Sequence, residues 1–259
     1  MKRTIKKLLI KLTKPFASKL GYVMPNSKKL KKLSSNSKNG LLNNFYALLK
    51  VMDFKPGHIV DIGANRGTWT REALQHFPDA QFSLFEPQYW LRESIRDITD
   101  TNSNVQFNPF GVGKEKGSFK FTIVDRDDSC SFKYSEEEAK NRGFKQIDLP
   151  VVTLNDFINE KNLPCPDIIK IDAEGLDLEV LEGANNFFGK TEIYLIEAAV
   201  VNPNVPNTVM RVINYMDNVG YKLFDITDLN RPFRTKVLWL VELVFIKNDG
   251  FVDNYKIVK

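Results

Sequence analysis

Cysteine and histidine are scarce: the 259 residues hold two of each. Cys130 and Cys165 lack Cys-x-x-Cys spacing, which excludes a disulfide framework and a cysteine-rich zinc site and fits a reducing, cytoplasmic setting. His58 stands at the start of the first predicted strand, the wrong edge of the sheet, and His76 closes a helix, so neither is placed as a catalytic base. Long apolar runs are missing too. Stretches such as Leu238–Val241 fall far short of the roughly 20 residues a membrane-spanning helix needs. At 42% apolar and 27% charged, the composition is that of a globular protein.

Acidic residues are absent from the first 38 positions, which carry twelve Lys or Arg. The net charge is +5, so the remainder carries −7. A basic arm thus precedes a mildly acidic body, and the pI near 9.0 reflects the arm. Within residues 1–21, Ile5, Leu8, Leu9, Leu12 and Phe16 form one stripe of a helix, with lysines over the rest. No apolar run there reaches the length of a secretory leader's core. Residues 25–40 are Ser-, Asn- and Lys-rich and form a linker. The expected division is a basic amphipathic arm and linker over 1–40 and one domain over 41–259.

From residue 58 the pattern alternates. Strands are expected at His58–Ile62, Gln81–Phe85, Val105–Phe107, Asp167–Ile171 and Ile193–Ile196. Helices are expected near 41–53, 68–77, 91–98, 176–184 and 208–219. Strands over 222–226 and 238–246 close the chain. The rhythm lapses over 117–152, where two strands flank a charged, Ser-rich stretch. Alternation of this kind gives an α/β fold, a mostly parallel sheet with helices on both faces.

Ligands of such sheets bind at the carboxyl ends of the strands. After the first strand comes Asp61-Ile62-Gly63-Ala64-Asn65-Arg66-Gly67, a turn that leads into a helix and lets a ligand approach the backbone. After the second strand stands Glu86, 23 residues beyond Gly63, where an acidic side chain meets a ribose diol. A bound nucleoside is therefore expected. The nicotinamide fingerprint G-x-G-x-x-G is missing, because Asn65 occupies the middle position. A Tyr-x-x-x-Lys pair is missing as well, since Val219 stands four residues after Tyr215. Both absences argue against a dehydrogenase or epimerase.

The segment Val60–Thr70 resembles motif I of class I S-adenosylmethionine-dependent methyltransferases. Val152–Phe157, Pro166–Gly175, Val180–Ala184 and Ile196-Glu197 resemble the FkbM-type family of that class, in order, over roughly residues 55–200. The chain departs from that family's pattern at Asn155 and at Ala198-Ala199. The resemblance implies a Rossmann-like fold with a mixed seven-stranded sheet, one strand antiparallel at or near the edge. It implies S-adenosyl-L-methionine as cofactor and O-methylation of a sugar hydroxyl on a polysaccharide, glycolipid or natural product. The cofactor set it implies is Asp61, Gly63, Ala64, Asn65, Gly67, Thr70, Glu86, Asn108 and Asp172.

A sugar hydroxyl needs a base or a metal beside it. Asp172 and Glu174, after the fourth strand, and Glu197, at the end of the fifth, are the candidate catalytic residues. Asp172 and Glu197 are also candidate ligands for Mg²⁺, which favours hard oxygen donors. The competing reading has Glu174 capping the following helix. The insertion at 125–135 is expected over the cleft, with Asp127, Asp128, Ser129 and Ser131 available to cofactor or sugar. Two other classes are weighed: a non-catalytic scaffold for glycan assembly, and a nucleic-acid methyltransferase. The latter lacks N-P-P-Y-like residues after the fourth strand, and its acidic body repels phosphates, so no nucleic-acid partner is expected. The arm is expected to contact an anionic membrane, placing the enzyme at the inner face, or else to pack on the body or in a homodimer.

Overall fold

The computed structural model describes residues 40–255. The expectations for the arm, its membrane contact included, lie outside the described residues. Seven strands form one sheet: β1 (His58–Ile62), β2 (Gln81–Phe85), β3 (Val105–Asn108), β7 (Ile168–Ile171), β8 (Ile193–Ala199), β9 (Tyr221–Asn230) and β10 (Leu240–Lys247). Their spatial order is β3-β2-β1-β7-β8-β10-β9. All contacts from β3 through β8 are parallel. β10 runs antiparallel to both neighbours, one place in from the edge, so the mixed seven-stranded expectation is borne out.

All five residues of β1 and all four of β7 are buried, as strands covered on both faces should be. Alternate residues feed two cores. Val60, Ile62, Ile169 and Ile171 join α6 (Asp177–Glu182) and α7 (Val209–Asn218) on one face. Ile59 and Ile168 join α1 (Leu41–Val51) and α2 (Thr68–His76) on the other. Phe45, Tyr46 and Leu49 of α1 are fully buried, Phe45 and Leu49 each contributing about 1.5–3 kcal/mol. Among the described residues no helix is long and apolar enough to cross a membrane.

The stretch where the rhythm lapses forms a separate side sheet. β5 (Gly117–Ile123) pairs antiparallel with β6 (Lys145–Val152), and the short β4 (Gly111–Val112) pairs parallel with β6. Between β5 and β6 lie a 3-10 turn over Asp127–Ser129 and α4 (Glu136–Arg142). A further short helix, α5 (Leu154–Glu160), follows β6, with Thr153 capping it by accepting the Asp156 N–H. Where one helix over 91–98 was expected, a 3-10 helix over Tyr89–Ile95 runs into the short α3 (Arg96–Thr99).

Candidate active site

The turn after β1 is wound by three left-handed residues at alternate positions: Gly63 (φ 74°), Asn65 (φ 45°) and Gly67 (φ 73°). Asparagine tolerates this region better than other residues with a Cβ, which explains how Asn65 replaces the middle glycine. Gly63 has no such substitute. A Cβ there would lie 1.9 Å from the Asp172 carbonyl oxygen, because the strand-end loops after β1 and β7 touch. The Gly63 and Ala64 N–H groups both donate to the Phe85 carbonyl (2.9 and 3.0 Å), fixing the turn to β2.

Glu86 is 3% exposed at the end of β2. One carboxylate oxygen accepts the Asn65 N–H (2.8 Å) and the other the Gln88 N–H (2.9 Å). Burial pushes this carboxyl up, and the two backbone donors pull it back. A carboxylate has about four acceptor sites, so each oxygen keeps capacity for a ligand. Glu86 lines a cleft of about 630 Å³ with Gly63, Asn65, Asp172 and Glu174, walled by Phe110 and Phe132.

Five residues of the implied cofactor set, Asp61, Ala64, Gly67, Thr70 and Asn108, do not line the cleft. Asp61 and Thr70 are fully buried beneath the turn, where the Thr70 hydroxyl donates to Asp61 (2.5 Å). Asn108 is buried and donates to the Leu84 carbonyl (3.1 Å). None of these three lines the cleft; the bonds they make hold the loops. Gly67 serves as the helix entry and also stays out of the cleft wall.

Sequence reasoning gave no role to Lys170, yet it joins the two strand-end loops. Its ammonium is buried, 3.1 Å from the Gly63 carbonyl, 3.2 Å from Asp172 and 3.4 Å from Asp61. Burial opposes the charge, but Asp172 and Asp61 outweigh it and hold the group above the ordinary lysine range. The register Asp61↔Lys170 across β1 and β7 makes this ion pair.

Asp172 and Glu174 line the cleft, whereas Glu197 does not, although the charges of both act on it. Burial and the charge of Asp172 push Glu174 to about 7, against Lys133 at 3.7 Å. Burial, then Asp172, hold Glu197 well above the usual carboxylate range. Glu197 lies within β8, two residues before its end, rather than at the end. Glu174 takes a left-handed backbone (φ 53°) and does not cap the next helix. Asp177, overlooked in the sequence, fixes this loop by accepting from Ala173 N–H (2.9 Å), Gly175 N–H (3.2 Å) and Asn207 (2.7 Å). Among the described residues no three His, Cys, Asp or Glu side chains are grouped to hold a metal ion. Asp172 is already paired with Lys170, so the Mg²⁺ expectation finds no support in the donor set. The histidines are not in the cleft: His58 is buried between the Pro164 carbonyl and Ser83 (2.8 and 2.9 Å), and His76 bonds Asn43.

The 125–135 insertion reaches the cleft, which Asp127, Asp128, Cys130 and Ser131 help to line; Ser129 does not. Arg66 holds Asp127 (2.7 Å), and Gln88 donates to the Asp127 carbonyl (2.9 Å). Such an exposed ion pair contributes at most about 1 kcal/mol.

Among known proteins, the chain is 26% identical over 145 residues to Methyltransferase 1 of Beauveria bassiana, covering 49% of this chain and 58% of that protein. It is 27% identical over 158 residues to 2-O-methyltransferase NoeI of Sinorhizobium fredii, covering 54% and 62%. The chain therefore spans less than two thirds of the length of these curated relatives. The solved structure of methyltransferase FkbM from Methylobacillus flagellatus is 18% identical with a TM-score of 0.49, covering 73% of this chain and 43% of that one. Residues 61–223, which run from the buried Asp61 to the edge strand, match the methyltransferase FkbM domain, and with well over half its length matched the protein belongs to that family.

Proposed function

We propose that the protein is an S-adenosylmethionine-dependent O-methyltransferase acting on a sugar hydroxyl. The observation that carries this reading is Glu86, a buried carboxylate braced by two backbone donors on the wall of the Gly63 cleft. It suits a ribose diol, and Phe110 and Phe132 give an adenine ring apolar walls. The backbone around Gly63–Gly67 suits the methionine part. Membership of the FkbM family supports methyl transfer, and the similarity to a 2-O-methyltransferase supports oxygen as the acceptor atom. When bound, the cofactor supplies an electrophilic methyl group on a sulfonium.

The chain's residues then have two tasks. Loops tied together by Lys170 and Asp177 hold the acceptor oxygen in line with the methyl carbon, the larger part of the rate gain. Glu174, at about 7, is matched to accept the hydroxyl proton at neutral pH. Asp172, paired with Lys170, orients the hydroxyl, and the charges of both carboxylates act on Glu197. Calorimetric titration with S-adenosylmethionine tests the reading. Binding is expected, and Glu86→Ala should weaken it at least tenfold, since hydrogen bonds to a charged group are worth about 1.5–3 kcal/mol each. A protein that binds no cofactor is a scaffold instead.

A further inference from the structure

The loop that joins β9 to β10 reverses the charge of the hairpin that carries it. At the hairpin's base Asp228 stands opposite Glu242. Beyond them, Arg231-Pro232-Phe233-Arg234-Thr235-Lys236-Val237-Leu238-Trp239 holds three cations and no acid, in a body that carries −7. Every position from Arg231 to Val237 is exposed, Phe233 at 46% and Val237 at 42%. Lys222 and Lys247, at the far end of the same two strands, pair with Asp253 and Glu192; among the described residues the three tip cations have no such partner.

The tip is braced. Lys236 turns it with a left-handed backbone (φ 57°) and donates its N–H to the Phe233 carbonyl (2.9 Å). The Arg231 guanidinium donates to the Lys236 carbonyl (2.7 Å), and the Trp239 N–H to the Asn230 carbonyl (2.8 Å). Phe233 packs edge-on against Trp239, ring centroids 5.0 Å apart. The Trp239 carbonyl accepts the Val200 N–H (2.9 Å), and Val200 and Val201 are exposed as well. Single exposed apolar side chains are ordinary, whereas a contiguous patch marks a docking surface.

We propose that this hairpin tip docks on an anionic lipid bilayer, with Phe233, Val237 and Trp239 entering the interface and Arg231, Arg234 and Lys236 meeting the headgroups. Two observations choose that occupant. The first is the union of unpaired cations with aromatic and aliphatic side chains on one tip. Interfacial binding grows with buried apolar area plus attraction to anionic lipid, and indole rings settle at headgroup level. The second is where the chain enters the body. The first 38 residues, with twelve Lys or Arg and no acid, lead to Gly40, which shares a cavity wall with Leu229 just before the tip. The basic arm therefore reaches the body at the foot of the basic hairpin. β10 begins opposite Ala199, the last residue of β8, so the tip stands at the carboxyl ends of the parallel strands, as the cleft does. A nucleic acid would meet the cations with phosphates but offers no apolar layer to Phe233 and Val237. The proposal draws nothing from the methyl-transfer reading.

The test uses the full chain at low salt with phosphatidylcholine vesicles, with and without phosphatidylserine. Flotation should require phosphatidylserine. Lipids brominated in the acyl chains should quench the tryptophan fluorescence of the bound protein. The chain has three tryptophans, so loss of most of that quenching in Trp239→Phe reads the tip itself rather than the arm. Arg234→Gln and Lys236→Gln should each weaken partitioning about fivefold, the worth of one cation near an anionic surface. Phe233→Ser should weaken it roughly tenfold, as the loss of one buried phenyl ring does. All three changes fall at exposed positions and should leave the melting temperature unmoved. Lys55→Gln, before β1 at the amino edge of the parallel strands, should bind vesicles as the parent does. Bound protein whose Trp239 is not quenched, tip variants that float like the parent, or an equal loss in Lys55→Gln overturns the proposal. So does a single-stranded RNA, or a second copy of the chain, whose binding fails in the tip variants while the vesicles are ignored.

Discussion

Replacing Lys170 by methionine keeps the volume of the side chain and removes its charge. Lys170 is 4% exposed, and its ammonium serves the Gly63 carbonyl, Asp172 and Asp61. Asp61 is the residue most affected, because it is fully buried and one of its oxygens has no hydrogen bond, only the ion pair. Breaking a buried pair by removing one partner costs about 3–5 kcal/mol. At roughly 2–4 °C per kcal/mol for a domain of this size, Tm should fall by roughly 6–20 °C. The pH sign follows from the direction of the shift. A lysine held above its ordinary range contributes its full stability at neutral pH and loses it only as pH rises beyond that range. In the variant, the stranded carboxylate is relieved by taking up a proton, so the deficit should shrink as the pH is lowered. Thermal and urea unfolding of both proteins, at neutral and mildly acid pH, measure it. The double variant Lys170→Met with Asp61→Asn should recover part of the loss. A deficit under about 1 kcal/mol, or one indifferent to pH, would refute the claim that this cation holds the two loops.

Glu174 is held at about 7, so turnover should rise as pH climbs through that value; Glu174→Gln should lose most turnover and the acid limb with it, and a limb that persists would remove Glu174 as the base. Gly63→Ala places a Cβ 1.9 Å from the Asp172 carbonyl oxygen on a left-handed backbone; it should unfold the protein or cost more than about 3 kcal/mol, as overpacking and strain combined do, and a near-neutral melt would show that the loops are not in contact. The basic stripe of residues 1–21 should bring the full chain to anionic liposomes at low salt, at about 1 kcal/mol per lysine near the surface. Flotation that is unchanged after deletion of residues 1–38 would leave the arm a packing element.

The strands around the cleft were legible because they are short apolar runs bounded by Gly, Pro and Asp, and Glu86 and the Gly63 turn followed from position at strand ends. β4, with two residues, carries no periodicity to read. α4 did announce itself, since Ser135 and Glu138 form a capping box, but its charged sequence reads equally as a solvated loop. Lys170 sat inside a recognised motif without a role because its partner, Asp61, is set by strand register. Glu242 is similarly hidden: it meets Glu197 only because β10 inserts antiparallel between β8 and β9. Asp61, Thr70 and Asn108 entered the cofactor set through the family resemblance, which carries no mark that separates residues facing a ligand from those bracing the loop beneath it.

The way the described chain begins and closes has a practical consequence. Gly40, Leu41 and Leu42 line a cavity on the far side of the Gly63 turn, together with Lys170 and Glu242, and α1 runs from there across the sheet. At the other end α8 (Phe251–Asn254) packs beside β10, and Val252 donates to Glu192, which precedes β8 at the amino edge of the parallel strands. Residues 1–39 therefore join the body at that cavity's wall, whereas the chain leaves Tyr255 at the opposite edge. An attachment at the carboxyl side is the one whose described neighbours keep clear of the cavity wall.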